Sequence, residues 1–269
     1  MAPVLMAVGA HADDIEFNVG GTLLKYRDAG YEVAYVMATN NMSGRWSHVD
    51  PPQSPPPLPM MERRKAEAAA GARALGTEPV HLDHPQRHWN RPEGGAAEVR
   101  YGCDRPEGVP EGVHTILTAH EDPDAVARLA NLMRERDAEC VLAHGPVQKD
   151  LEHVGVCLLV TKAYWHAVEQ GYEGGLLYWR SGQTQAGAHH LKWTTHIDIS
   201  GYLPAKIDLG ALHKCQCPNP YRPDYPNRLR ALAWGAATNC QAAEVFVTVR
   251  LPEADARGAF TEELLAHCR

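Results

Sequence analysis

The chain has 269 residues, of which 44% are hydrophobic and 22% charged, an ordinary globular profile with enough apolar residues for a sizeable core. Its formal net charge of -7 argues against nucleic acid or an anionic membrane as a partner. No apolar run reaches transmembrane length, and the opening residues lack a basic stretch and a small-residue cleavage site, so a cytoplasmic, single-domain protein spanning 1–269 is expected.

In chain order, residues 4–10 form a continuous apolar run that reads as a buried strand. It ends in His11-Ala12-Asp13-Asp14. Residues 20–30 read as a helix that starts on small residues and stops at Gly30, and 33–38 as a second strand. Strand, helix and strand in about 35 residues make a βαβ unit and imply a parallel sheet. The proline-dominated segment 48–59 reads as an exposed loop. A helix over 60–75 closes at Gly76, and 80–82 is a short third strand. Residues 84–121 are rich in Gly, Pro, Glu and His and read as a long inserted loop, of a length often used as a functional lid. Asp122-Pro123 has the favoured residues for a helix start, with a helix to about 137. A strand at 140–143 ends in His144, and a helix follows from about 153 to 169. Strands at 176–179, 196–199 and 245–249 and helices at 203–214 and 228–241 complete the pattern.

This alternation predicts a Rossmann-like, doubly wound, mostly parallel α/β sheet flanked by helices, in which ligands sit beyond the carboxyl ends of the strands. Both 11–14 and 144–153 fall at such ends. Two adjacent carboxylates at a dry strand end are costly unless a cation or a catalytic duty compensates. A catalytic zinc takes three ligands from His and carboxylate and keeps one position open. His11 and Asp14 form a local pair, Asp13 can point elsewhere as a base, and the third ligand is to be sought among His144, Asp150, Glu152 and His153. The plainer alternative is that Asp13 and Asp14 cap the next helix. Gly20-Gly21 is not a dinucleotide fingerprint, because the acidic run occupies the phosphate's place. The seven cysteines are scattered and read as reduced and structural. His84, His88, His189 and His190 read as loop residues without metal, and Trp46, Trp89 and Tyr101 as loop aromatics that pack locally.

The run VGAHADDIEFNVGGTLLKYRDAGYEV resembles the opening of the LmbE-like (PIG-L) zinc-dependent N-deacetylases, with Ala12 in place of their proline. Arg64-Lys65-Ala66-Glu67 through Leu75-Gly76, Asp150-Leu151-Glu152-His153, Asp198, Lys206, His213-Lys214-Cys215-Gln216 and Ala243-Glu244-Val245-Phe246 extend the resemblance over most of the chain, 84–121 excepted. The resemblance implies zinc, or another divalent transition metal, on His11, Asp14 and His153, with Asp13 as the general base. It implies removal of an acetyl group from a small N-acetylated amino sugar or its conjugate, and a homo-oligomer such as a trimer or hexamer. Arg64 and His213 are candidates for binding substrate. The family has a histidine where this chain has Asp150, and an ionised aspartate does not stabilise an oxyanion. His144, with His213 second, is the candidate substitute, which leaves Asp150 with a different catalytic duty. Glu152, in place of a family aspartate, is expected to fix an imidazole tautomer, and Gln86 falls near a family aspartate. Two alternatives stand beside this reading: an amidase of a larger thiol-sugar conjugate, and a non-catalytic Rossmann-like binding module with a degenerate site.

Overall fold

A computed structural model describes residues 2–47, 53–86, 112–181, 192–217 and 219–268. Seven strands form one sheet in the order β3-β2-β1-β4-β5-β7-β6. They are β1 (Val4–Gly9), β2 (Glu32–Thr39), β3 (Val80–His84), β4 (Ala138–His144), β5 (Gly175–Trp179), β6 (Thr195–Asp198) and β7 (Ala243–Arg250). The first five strands pair in parallel, while β7 runs antiparallel to both β5 and β6. Seven α-helices are described: α1 (Asp14–Asp28), α2 (Pro57–Ala74), α3 (Pro123–Glu135), α4 (Leu151–Glu169), α5 (Leu203–Gly210), α6 (Pro226–Thr238) and α7 (Ala259–Ala266).

Strand alternation divides the core. Met6, Val8, Val141 and Ala143 pack with α3 and α4 on one face. Leu5, Ala7, Cys140 and Leu142 pack with α1, α2, α5, α6 and α7 on the other. Because both faces are covered, the central strands read as unbroken apolar runs rather than as alternating ones. The chain order reverses between β1 and β4, so the loops leaving those two strands flank the crevice where such sheets bind ligands.

Several boundaries differ from expectation for identifiable reasons. α1 begins at Asp14, not Gly20, because the metal-type motif is itself the helix's first turn. α2 begins at Pro57, inside the expected loop, since proline is tolerated where a helix's first N–H groups have no partner. α4 begins at Leu151 with Asp150 as its N-cap, which places Glu152 and His153 in the first turn. α5 stops at Gly210, so His213 lies in the following turn and not on a helix. α7 had no expected counterpart. Described structure enters both ends of the segment 84–121 expected to be an insertion. His84 closes β3, and Ile116 and Ala119 are fully buried against α4, where Gly155 lies so close that a Cβ would sit 2.4 Å from the Ile116 carbonyl oxygen. Residues 87–111, which include His88, Trp89 and Tyr101, lie outside the described residues, as do His189 and His190. The six described cysteines are unpaired thiols. No described helix is long and apolar enough to cross a membrane.

Candidate metal centre

The two carboxylates that follow β1 point in different directions because Asp13 takes a positive φ of 116°. That conformation is uncommon outside glycine. It turns the chain so that the Asp13 carbonyl accepts from Phe17 N–H and starts α1, while its side chain makes no capping bond. The capping alternative is therefore not what the geometry shows. Asp14 turns inward, accepting from its own loop at His11 N–H, 2.7 Å.

β4 and α4 supply the opposite wall. Asp150 accepts from Glu152 N–H at 2.9 Å and fixes the first turn of α4, which delivers His153 to Asp14. His11 Nδ1 lies 3.2 Å from His153 Nε2 and 3.5 Å from Asp14 Oδ2, and His153 Nε2 lies 3.4 Å from Asp14 Oδ1. Bonds of about 2.0–2.1 Å at tetrahedral angles place ligand atoms about 3.3 Å apart. The three donor edges match that spacing, and His11, Asp14 and His153 form a group able to hold a metal ion. Their charges point the same way. Although burial opposes it, the Asp14 and Glu152 carboxylates hold His11 well above its usual range, and Asp14 raises His153 above its own.

The four candidates for third ligand differ in their contacts, and His11, Asp150 and Glu152 form a second group able to hold a metal ion. Glu152 is fully buried, and its Oε2 lies 2.5 Å from His11 Nε2, which leaves Nδ1 to face the ligand group. Gln86 Nε2 donates to the same Oε2 at 2.9 Å, and Gln86 Oε1 accepts from Ser43 N–H. His144 is also fully buried and stacks on His153, with ring centroids 4.0 Å apart. Its Nε2 lies 3.2 Å from both Asp14 Oδ2 and Ala10 N, and burial pushes its pKa down to about 4. Asp150 is the helix cap, with a carboxylate oxygen within 4.8 Å of donor atoms on His11 and Glu152.

Asp13 stands beside this group and faces Arg64, whose Nη2 is 3.6 Å away. Burial outweighs the guanidinium and pushes Asp13 up to about 6. Arg64 is itself committed to the loops, donating to the carbonyls of Ala12 and Ser43 at 2.8 and 3.1 Å. Asn41 Oδ1 accepts from Ala12 N–H at 2.8 Å from the loop after β2. The sequence reading missed it, and the only signal was the adjacent asparagines Asn40-Asn41 at a strand end. His213 is buried and pairs with Glu16 Oε1 at 2.9 Å, so it lies behind Asp13 rather than among the ligand atoms. Glu16 also accepts from the Tyr35 hydroxyl at 3.0 Å.

A mostly parallel sheet with a His/Asp/His group at its switch point defines a Rossmann-like protein with a candidate metal centre. Residues 6–164 match the family PIG-L: GlcNAc-PI de-N-acetylase. The chain belongs to this family. A 1D-myo-inositol 2-acetamido-2-deoxy-alpha-D-glucopyranoside deacetylase of Kineococcus radiotolerans is 31% identical over 148 residues, which are 53% of this chain but only 38% of that protein. The fold is also that of the N,N'-diacetylchitobiose deacetylase of Pyrococcus horikoshii. There the TM-score is 0.63 and identity 18%, over 95% of this chain and 89% of that one. The 4-carboxy-2-hydroxymuconate hydratase of Pseudomonas putida KT2440 superposes with a TM-score of 0.67 at 18% identity, over 94% of this chain and 98% of that one. One fold thus carries a deacetylase and a hydratase, so the fold alone does not select the reaction.

Proposed function

We propose that this protein is a metal-dependent hydrolase that removes the acetyl group from an N-acetylated amino sugar or its conjugate. The observation that carries the reading is the convergence of His11 Nδ1, Asp14 and His153 Nε2 at metal-ligand spacing, in a chain of the PIG-L family. Deacetylation of a sugar conjugate is named for the Kineococcus relative, which is 31% identical over 148 residues, and it is carried to this chain as part of this reading.

Zinc held by these three side chains would polarise the acetamide carbonyl and acidify a water to a pKa of about 7. The remaining work falls to the chain. Glu152 keeps the proton of His11 on Nε2, so that Nδ1 presents its lone pair. Gln86 holds Glu152 in that pose. Asp13, set apart by its positive φ, takes the proton of the attacking water and returns it to the departing nitrogen. The amide C–N bond breaks, leaving acetate and a free amine. Arg64 keeps Asp13 in place and joins the loops after β1 and β2. His144, fully buried and stacked on His153, backs that ligand rather than reaching the substrate. Asp150 serves as the cap that aims His153.

The test is to load the purified protein with zinc and assay acetate release from N-acetylglucosamine conjugates, alongside His11→Ala. Acetate from the wild type and a loss of about a hundred-fold or more in the variant support the reading. Absence of bound divalent metal, together with equal rates for both proteins, overturns it. Release of a larger acid from a thiol-sugar amide, with no acetate, would instead select the amidase alternative.

A further inference from the structure

A narrow cleft opens between α1, α5, α6 and the start of β7, at the same end of the sheet as the metal group. Its walls carry Arg180, Lys206 and Arg230, with Asn18, Asn227 and Glu244. Lys206 is already committed: its Nζ bonds to Glu244. The Glu244 carboxylate also accepts from Gly21 N–H at 3.0 Å and Thr22 N–H at 2.8 Å, so three donors already share it.

Among the described residues neither guanidinium bonds a carboxylate directly, although the Glu244 charge acts on Arg230. Arg230 engages neutral acceptors through one nitrogen, Nη2: Phe17 O at 2.9 Å, Asn227 Oδ1 at 2.6 Å and Asn18 Oδ1 at 3.4 Å. Arg180 lies over Trp234, with its guanidinium carbon 5.1 Å from the ring centroid. Among the described residues, three cations therefore line a cleft with one carboxylate, in a chain whose net charge is -7. Partly desolvated like charges repel, and a guanidinium fork matches the geometry of carboxylate and phosphate oxygens.

The cleft is tied to the metal group. Asn18 accepts from Arg230 and donates through Nδ2 to the Asp14 carbonyl at 2.7 Å, so Arg230 stands one turn of α1 from the candidate ligand. Arg180 also borders a second cleft, lined by Gly145, Gln148 and Trp179. Trp179 meets the His144 ring edge-on at 4.7 Å. The excess positive charge thus lies at the metal group's end of the sheet, linked to it through Asn18.

We propose that this cleft is an oxyanion subsite in which Arg180 and Arg230 recognise a carboxylate or phosphate group carried by the N-acetylated substrate. The identity of the substrate rests on the deacetylase reading, whereas anion binding is measurable without turnover. Inorganic phosphate is titrated calorimetrically, at low ionic strength, into the wild type and Arg180→Gln at equal metal content. A dissociation constant about ten-fold weaker in the variant is expected, because charge-assisted bonds to an oxyanion are lost. Equal constants, or no binding to the wild type, overturn the subsite whatever the turnover.

The second arm compares KM for N-acetylglucosamine 1-phosphate and N-acetylmuramic acid with that for uncharged N-acetylglucosamine. The wild type should favour at least one charged substrate, and the preference should fall about ten-fold in Arg180→Gln. Arg180→Lys should recover part of it, which a merely misfolded variant would not show. Arg230→Lys should reduce it by removing the fork while keeping the charge. Phosphate discrimination without any substrate preference overturns the substrate-borne assignment. Phosphate discrimination with no acetate from any substrate supports the subsite and refutes the deacetylase.

Discussion

Replacing Asp13 by asparagine should disable the enzyme and stabilise the metal-free fold. Burial, opposed by Arg64, pushes the carboxyl up from 3.8 to about 6. The folded chain therefore holds this proton more tightly than the unfolded chain. Its contribution to stability is present below the unfolded value and is lost as the pH rises through about 6. A shift of roughly two units corresponds to a penalty on the order of 3 kcal/mol at pH 7.5. Asparagine is isosteric, carries no charge and tolerates positive φ better than most residues. Calorimetry of the chelator-treated proteins at pH 7.5 should show the variant melting roughly 5 °C or more above the wild type. The gap should shrink toward zero near pH 4. With metal restored, the same variant should lose about 10²- to 10⁴-fold in acetate release, the usual share of a general base. A variant that melts no higher than the wild type at pH 7.5 refutes the idea that Asp13 is held against its solvation. One that keeps more than a tenth of the activity refutes its role as base.

Three further perturbations probe the supports of the site. Glu152→Gln keeps an acceptor for His11 and Gln86 but removes the charge, so zinc affinity should fall about ten-fold by chelator competition; Glu152→Ala should lose about a hundred-fold, and equal affinities in all three proteins would contradict the tautomer role. In Gly71→Ala the new Cβ would lie 2.0 Å from Glu16 Oε1, forcing that carboxylate off His213 and Tyr35. Overpacking and the lost bonds exceed the gain in helix propensity, and denaturant unfolding should show a loss of about 2–4 kcal/mol. Gly201→Ala, with open space around its Cβ, is the control that should change little. Lys206→Met leaves the Glu244 carboxylate buried without its cation and should cost about 3–5 kcal/mol by the same measurement. Adding Glu244→Gln should recover part of that loss, and a purely additive double variant would show that the pair is not coupled.

The alternation of apolar runs and helices made the parallel sheet legible, because strands buried on both faces must be apolar throughout. His11, Asp13 and Asp14 were legible because polar groups at a dry strand end need a reason to be there. The antiparallel course of β7 was not legible: an apolar strand reads the same in either direction, and its pairing with β5 and β6 is settled only by packing. Nor could α7 be foreseen, since Phe260 and Leu264 gain their meaning only against the far face of the sheet.

Composition and local pattern alone determined the fold class, the strand ends that matter and the set of side chains able to hold a cation. They left four candidates for the third ligand. Tertiary structure gave those four different contacts, because the Asp150 cap sets the phase of α4: His153 meets Asp14, Glu152 meets His11, and His144 stacks behind. Tertiary structure also gathered Arg180, Lys206 and Arg230 from three distant segments around one cleft. Spacing along a chain reports which residues share a turn, whereas charge accumulates wherever folding brings separate turns together.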